Sequence, residues 1–176
     1  MGGPKALLSV RGTTFLDACL RALDRPGVSA RVVVTGHHAE RVAAAAAVPG
    51  VRIVHNIEFA QGMLSSVLRG LEAAEEADAD ALLIHPVDHP LVEPETVDRV
   101  VAALLAGALV AVPSHEGRRG HPGGFARATW PELRSAPPDQ GARAVLHAHP
   151  EWVVHVEGGP GSVAGVNTPA DLKRLR

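Results

Sequence analysis

Polar residues that could bind phosphate or a metal ion lie in five short segments of this sequence. The first, Met1-Gly2-Gly3-Pro4-Lys5, is a Gly-rich turn that ends in a lysine. Backbone N–H groups in such a turn, together with one compact ammonium group, can hold a polyphosphate. A lysine near the start of a chain is more often simply solvated, so this segment by itself favours no function.

The second segment is residues 56–66, NIEFAQGMLSS. Gly62 lets the backbone approach a ligand, and a helical pattern begins directly behind it. Helix N-termini attract anions and offer free N–H donors, to which Ser65 and Ser66 add hydroxyl groups. Helix capping by Ser or Gln explains the same residues equally well.

The third segment is residues 84–92, IHPVDHPLV, in which Asp88 stands between two prolines just past an apolar run. A carboxylate placed there is rigid and partly desolvated. Hard cations such as Mg²⁺ take oxygen ligands and usually keep waters and substrate phosphates. We therefore favour a metal-ligand role for Asp88 over a turn or a cap before the helix near Pro94.

The fourth segment is residues 117–125, GRRGHPGGF. Arg118 and Arg119 could bind a phosphate through paired N–H groups, and His121 could hydrogen-bond a heterocycle or a phosphate. Gly120 and Gly123 permit unusual backbone angles. Taken alone, an arginine pair exposed on a flexible loop is the more ordinary interpretation.

The fifth segment is residues 166–171, VNTPAD. Thr168 can cap a helix that starts at Pro169, and capping also explains Asp171. It does not explain Asn167 as naturally, and the amide oxygen of Asn167 can be offered to a metal ion.

Composition excludes several classes of protein. The chain has 176 residues and a net charge of −2, with no basic stripe, so we expect no nucleic-acid partner. Only 3% of its residues are aromatic, which argues against a stacking platform for bases. The longest apolar stretch, residues 100–113, contains Gly107 and falls short of the roughly 20 residues that a membrane helix needs.

Cysteine and histidine usage is equally informative. The single cysteine, Cys19, excludes an intramolecular disulfide and favours a reducing, cytoplasmic setting. It falls on an apolar helix pattern, which predicts a buried structural thiol. The histidine pairs at residues 37–38 and 147–149 have no spacing typical of a zinc site.

The order of elements positions these segments. Apolar, β-branched runs predict strands over residues 31–35, 51–55, 81–85, 109–113 and 152–156. Helical periodicity predicts helices over residues 14–23, 39–47, 63–77, 94–106, 142–148 and 169–175, the first with possible caps at Thr13 and Thr14. This alternation predicts one α/β domain over residues 1–176, with a mostly parallel sheet between helix layers. Ligands bind such sheets beyond the carboxyl ends of the strands, where Asn56 and Asp88 stand.

Taken together, and in this order, the segments resemble the molybdenum cofactor cytidylyltransferases of the larger NTP-transferase family. The resemblance extends over essentially the whole chain. No single motif decides it, but the series is specific. It consists of Gly3-x-Lys5, Asn56…Gly62-Met63-x-Ser65-Ser66, Pro86-x-Asp88-x-Pro90-Leu91, Gly120-His121-Pro122, Gly141-Ala142-Arg143 and Asn167-Thr168-Pro169.

The resemblance implies a three-layer, Rossmann-like nucleotidyltransferase that joins CTP to molybdopterin with Mg²⁺ and releases pyrophosphate. Lys5 matches the family's phosphate-contacting lysine, and Asp88 matches its Mg²⁺-binding aspartate. Asn167 lies where the wider family places a second metal ligand. The resemblance implies further that Asn56, Gly62, Ser65 and Ser66 belong to the segment that frames the nucleoside, and that Arg119, Gly120, His121 and Pro122 belong to the acceptor side.

The sequence departs from the family at its start. Family members place a strand and a Gly-rich loop with a further arginine upstream of the segment that begins at Gly3. We therefore expect the sheet to be open where that strand would lie, with a partner strand or a dimer contact as candidates to fill it. Three alternatives stay open: transfer to another phosphorylated acceptor, use of GTP, and a non-catalytic protein that binds nucleotide or pterin. A molybdoenzyme or its chaperone is the expected protein partner.

Overall fold

The structure, a computed structural model, describes residues 3–174. Met1 and Gly2 of the first candidate segment lie outside the described residues. The elements that carry the fold are two β-sheets with helices on both faces, so the predicted α/β architecture is confirmed.

The sheets are built from short strands. β1 and β2 form a small antiparallel sheet of their own. Of the two larger sheets, the first pairs β3 with β4 in parallel, and the second has the order β5-β8-β6-β7, with β9 parallel to the other side of β6. In the second sheet β5, β6 and β9 run in one direction and β8 runs in the opposite one. The strands are β1 (Ser9–Val10), β2 (Thr13–Thr14), β3 (Arg31–Thr35), β4 (Val51–His55), β5 (Ala81–Ile84), β6 (Val110–His115), β7 (Arg118–Arg119), β8 (Gly123–Ala126) and β9 (Val153–Glu157).

Seven α-helices within the described residues cover the sheets. They are α1 (Phe15–Ala22), α2 (Ala39–Ala46), α3 (Met63–Glu76), α4 (Pro94–Leu105), α5 (Trp130–Ser135), α6 (Ala142–Ala148) and α7 (Pro169–Arg174). The expected cap of α1 is present, because the Thr14 hydroxyl accepts from Asp17 N at 3.1 Å. No helix of the described part of the chain is long and apolar enough to cross a membrane.

The largest core cluster lies between the second sheet and the helices α3, α5 and α6. Its fully buried members include Leu71, Val110, Phe125 and Leu133. Burying such aliphatic and aromatic side chains stabilises each by about 1.5–3 kcal/mol relative to exposure. This packed base supports the strand ends at which the candidate site lies.

Apart from the two-residue strands β1, β2 and β7, two elements differ from the expectation. Residues 123–126 form strand β8 and not a loop, and α5 has no counterpart among the predicted helices. Glycine is depleted in strands, so Gly123-Gly124 does not read as one. The glycines are tolerated because α4 packs directly on β8: a Cβ at Gly124 would lie 2.7 Å from Leu104 and 2.8 Å from Val100.

The two sheets are not joined to each other. Backbone pairing links β3 only to β4 and β5 only to β8, although α3 packs against both β3 and β5. Val33 of β3 packs with α1 and α2, and Leu83 of β5 packs with α1 and α4. Leu82, Leu83 and Ile84 all stay partly exposed. Within residues 3–174, no strand pairs with the edges of β3 and β5 that face away from β4 and β8.

Candidate active site

Three of the predicted residues meet although they are far apart in the chain. Lys5 Nζ donates to Asn167 Oδ1 at 3.0 Å, across 162 positions of sequence, and lies 3.7 Å from Asp88 Oδ2. The Lys5 and Asp88 side chains keep 31% and 26% of their exposure, so a ligand can reach them. The predicted phosphate-binding lysine and both predicted metal ligands thus lie at one point.

Each of the three residues is held by its own segment. Lys5 starts a 3-10 helix (Lys5–Leu7), whose Ala6 is buried among α1 and α2. Asp88 follows β5 in a turn closed by His89 N, which donates to Pro86 O at 3.1 Å. Asn167 lies two residues before α7, and the Asp171 carboxylate of that helix accepts from the N–H groups of Asn167 and Thr168.

The arrangement fits a hard divalent cation. The oxygens of Asp88 and Asn167 face the same positive charge, the Lys5 ammonium, which stands in for a cation at that point. In residues 3–174 no group of three or more His, Cys, Asp or Glu side chains could hold a metal alone. Mg²⁺ needs few protein ligands, because water and substrate phosphates complete its shell. Asp88 and Asn167 are the residues that would hold it.

Three histidines lie next to Asp88. His85 Nε2 is 3.1 Å from His89 O, and the rings of His89 and His121 lie edge to face with centroids 4.4 Å apart. Burial lowers the pKa of His85 and of His121 to about 4, and it also lowers the pKa of His89. All three imidazoles are therefore neutral at pH 7 and offer hydrogen bonds without charge.

The segment of residues 56–66 is organised by Asn56. Asn56 is fully buried, and its amide nitrogen donates to Ser65 Oγ at 2.8 Å and to Ser66 Oγ at 3.0 Å. Its Oδ1 accepts from Glu58 N. Asn56 therefore holds the two serines in place from the interior of the protein, while Gly62 is exposed and Ser65 and Ser66 are partly exposed.

Gly62 also borders a cavity of about 480 Å³, in the range of small-molecule pockets. Gly62 has φ of 103°, which glycine adopts readily. Gly62 is the N-cap residue of α3, and because glycine has no side chain it makes no capping hydrogen bond to the first N–H groups of the helix. The opposite wall of the cavity includes Gln140 and Arg143.

The segment of residues 117–125 is more ordered than a flexible loop. Arg118 and Arg119 form β7, and the Arg118 guanidinium donates to Val163 O at 3.3 Å. Arg119 is exposed, and Pro122, joined to His121 by a cis peptide bond, is buried. Gly120 and Gly123 permit unusual backbone angles but do not adopt a positive φ, whereas Gly117 of the same segment has φ of 76°.

Glycine is required at position 120 because the backbone of Ser162 comes very close to it. A Cβ there would lie 2.6 Å from Ser162 O, the atom that accepts from His121 N at 2.9 Å. Ser162 is itself fully buried. A larger residue at position 120 would push the His121 segment away from Ser162 and its neighbours.

Residues 158–167 contact Lys5, Asp88 and His121, which come from three separate segments. Val166 N donates to Asp88 O at 2.8 Å, Ser162 O accepts from His121 N, and Gly161 N donates to Glu93 Oε1 at 3.2 Å. This segment therefore fixes Asn167 relative to Asp88 and His121 at the same time. We refer to residues 158–167 as the bridging segment.

The comparisons with known proteins give a definite family. The model of the MobA-like NTP transferase domain matches residues 1–153, most of the chain. The chain belongs to this family. It is a nucleotidyltransferase, and the resemblance found in the sequence is confirmed at the level of the family.

Among curated relatives, nicotine blue oxidoreductase of Paenarthrobacter nicotinovorans is 34% identical over 159 residues, which are 86% of this chain and 76% of the relative. A probable molybdenum cofactor guanylyltransferase of Bacillus cytotoxicus is 29% identical over 122 residues, which are 67% of this chain and 57% of the relative. The relatives thus carry the names of different activities.

Solved structures agree on the fold. A nucleotidyl transferase from Methanothermobacter thermautotroptrophicus has a TM-score of 0.83 and 26% identity, covering 98% of this chain and 83% of that one. Rv0371c of Mycobacterium tuberculosis, in complex with manganese, has a TM-score of 0.74 and 27% identity, covering 99% and 92%. The manganese complex is a finding about that relative.

Several residues that lie at the candidate site were missed by the sequence analysis. His85 and His89 flank Asp88, and Glu93 and Ser162 fix the bridging segment. The spacing of histidines around Asp88 was a usable signal. Nothing local marks Ser162 or Glu93, since their roles depend on contacts with distant segments.

Proposed function

We propose that this nucleotidyltransferase transfers CMP from magnesium-bound CTP to molybdopterin. A phosphate oxygen of the acceptor attacks the α-phosphorus of CTP, a new P–O bond forms, and the bond to the β-phosphate breaks with release of pyrophosphate. The observation that carries the proposal is the convergence of Lys5, Asp88 and Asn167 just past the carboxyl end of β5. Transfer of this kind needs positioning and charge neutralisation more than covalent help.

Each of the three residues has its own role in the proposed reaction. The Lys5 ammonium binds the triphosphate, and Asp88 and Asn167 hold Mg²⁺. When bound, Mg²⁺ supplies neutralisation of the charge that develops on the phosphates. The bridging segment keeps these groups in register with His121, so that acceptor and nucleotide meet in line.

The nucleoside lies along the segment of residues 56–66, next to the cavity beside Gly62. Molybdopterin lies toward Arg119, Gly120, His121 and Pro122. The neutral imidazole of His121 suits a heterocycle that offers both donors and acceptors. The resemblance of these segments to the cytidylyltransferases supports both placements, and a molybdoenzyme or its chaperone is the proposed recipient of the product.

GTP is the alternative nucleotide, because the Bacillus cytotoxicus relative is named as a guanylyltransferase.

A second candidate function is oxidoreduction, favoured by the name of the Paenarthrobacter relative, which aligns with 86% of this chain. The two candidates differ in ligand: a metal–triphosphate complex for nucleotidyl transfer, and a reduced dinucleotide or another hydride donor for oxidoreduction.

Thermal unfolding separates these candidates. We expect MgCTP to raise the Tm by several degrees, because a ligand at one hundred times its Kd stabilises the folded state by about 2.7 kcal/mol. MgGTP, MgATP and NADPH at matched concentrations are the comparison arms. A shift with NADPH alone would favour oxidoreduction, and a shift with MgGTP alone would change the nucleotide.

The variant Asp88→Asn tests the metal assignment. We expect it to abolish the shift with MgCTP, together with acceptor-dependent pyrophosphate release, because the amide removes the negative charge with little change of shape. Asp80→Asn is the matched control, since Asp80 is exposed and precedes the other end of β5. Full turnover in Asp88→Asn would refute the assignment.

A further inference from the structure

The Lys5 ammonium occupies the point at which the two proposed metal ligands meet. It is 3.0 Å from Asn167 Oδ1, within hydrogen-bonding distance, and 3.7 Å from Asp88 Oδ2, within ion-pair distance. These are the same two oxygens that would ligate a divalent cation. The Lys5 ammonium therefore competes with a divalent cation for Asp88 and Asn167.

The competition is effective because Lys5 is tethered at the site. Its carbonyl accepts from Leu8 N at 3.1 Å, and the following residue, Ala6, is buried among α1 and α2. A tethered group has a high effective concentration at its target. Only the flexible part of the Lys5 side chain can move, so the ammonium returns to Asp88 and Asn167 whenever no other anion holds it.

An ammonium group and a divalent cation cannot share this point, since like charges in contact repel strongly at a partly buried position. A metal ion can bind only if the ammonium finds another partner. A polyphosphate offers such a partner, because its oxygens attract Lys5 while also coordinating the metal.

We propose that Asp88 and Asn167 take a divalent cation as part of a metal–polyphosphate complex, and that Lys5 excludes the free ion. The inference rests on the proposed function, because it uses the same two metal ligands. By thermodynamic linkage, the nucleotide tightens metal binding and the metal tightens nucleotide binding by the same factor, with Lys5 as the coupling group.

Metal binding can be measured with Mn²⁺ as the probe, by following the EPR signal of the free ion. In the absence of nucleotide, we expect Lys5→Met to bind Mn²⁺ at least tenfold more tightly than the unsubstituted protein. Adding CTP should tighten Mn²⁺ binding strongly in the unsubstituted protein and much less in Lys5→Met. Turnover should fall in the same variant, because the triphosphate loses its cation.

Lys173→Met is the matched control, because Lys173 is exposed on α7 and is the only other lysine of the sequence. We expect it to leave both Mn²⁺ affinities unchanged. Lys5→Gln is the second variant: it removes the charge but keeps a donor for Asn167, and we expect it to behave like Lys5→Met.

The outcomes separate this inference from the proposed function. Unchanged or weaker Mn²⁺ binding in both folded Lys5 variants would overturn the competition, while a loss of binding in Asp88→Asn would leave the metal assignment standing. If Asp88→Asn bound Mn²⁺ as well as the unsubstituted protein did, the metal assignment would fail, and the inference would fail with it.

Discussion

His85 and His121 lie beside Asp88 with imidazole rings that are largely withdrawn from water. Their Nδ1 atoms are buried and have no hydrogen-bond partner within the described residues. Burial is the main cause that lowers each pKa from 6.5 to about 4, and the nearby Asp88 carboxylate opposes it only in part. These rings therefore resist protonation in the folded protein.

This resistance predicts a pH dependence of stability. In the unfolded chain the same histidines take up protons near pH 6.5, so between pH 6.5 and about 4 the unfolded state binds more protons. The contribution of these two histidines to the free energy of unfolding is therefore fully present above pH 6.5. It is lost as the pH is lowered through this window. The contribution of each group is at most about 1.4 kcal/mol per pH unit.

Urea unfolding at pH 7, 6 and 5 measures this slope. We expect His85→Gln to reduce it, because the variant removes one of the groups that protonate only on unfolding. His155→Gln is the control, since His155 is exposed on β9. An unchanged slope in His85→Gln would contradict the burial argument.

Among the elements, the bridging segment holds Asn167 close to Asp88 and His121. The residues at the start of α4 hold the first half of this segment in place. Glu93 directly precedes α4, and its Oε1 accepts from Gly161 N. The fit is close, because a Cβ at Gly161 would lie 1.8 Å from Leu91 O and one at Gly159 would lie 2.6 Å from Glu93 Oε2. The segment therefore cannot shift without losing this contact.

Replacing Glu93 tests the coupling between α4 and the metal ligands. We expect Glu93→Ala to lower the free energy of unfolding by about 1–3 kcal/mol, as for loss of a partly buried hydrogen bond to a charged group. It should also weaken Mn²⁺ binding in the presence of CTP, because Val166 and Asn167 lie at the other end of the segment. Urea unfolding and EPR measure the two effects.

Glu95→Ala is the control for this prediction. Glu95 is exposed in the first turn of α4, where it interacts favourably with the helix N-terminus and contributes a few tenths of a kcal/mol. Equal losses of stability and of Mn²⁺ affinity in the two variants would show that the Glu93 contact does not hold the segment.

At the scale of the whole molecule, the open edge between β3 and β5 has a measurable consequence. N–H groups of successive residues in a strand point to opposite sides, so about half of those in β3 and β5 face the gap without a strand partner. In β6, by contrast, both sides are paired over Val110 and Ala111. We expect fast amide hydrogen exchange at alternate residues of β3 and β5 and slow exchange in β6.

Residue-resolved exchange by NMR tests this expectation, and β6 serves as the internal control. Uniform protection along β3 and β5 would show that both edges are covered in solution. Sedimentation would then test whether a second copy of the chain covers them.

Local patterns were enough to predict much of this molecule. Predicted and observed bounds agree for β3 and β4 and differ by one or two residues for the other predicted strands, because periodicity and β-branched composition act within one segment. The caps at Thr14 and Thr168 are formed as expected, since each cap involves residues three positions apart. The position of Asp88 just past β5 was likewise sufficient to suggest a metal-ligand role, whereas the phosphate-binding role of Lys5 came only from the family resemblance.

The tertiary structure alone decided the rest. The contact of Lys5 with Asn167, the burial of His85 and His121, and the approach of Ser162 to Gly120 each join segments that are distant in the sequence. Strand β8 forms because β5 and β6 pair with it on either side and α4 packs on its glycines, not because its own residues favour extension. A sequence pattern reports what one segment prefers, whereas distance and burial depend on how several segments pack at once.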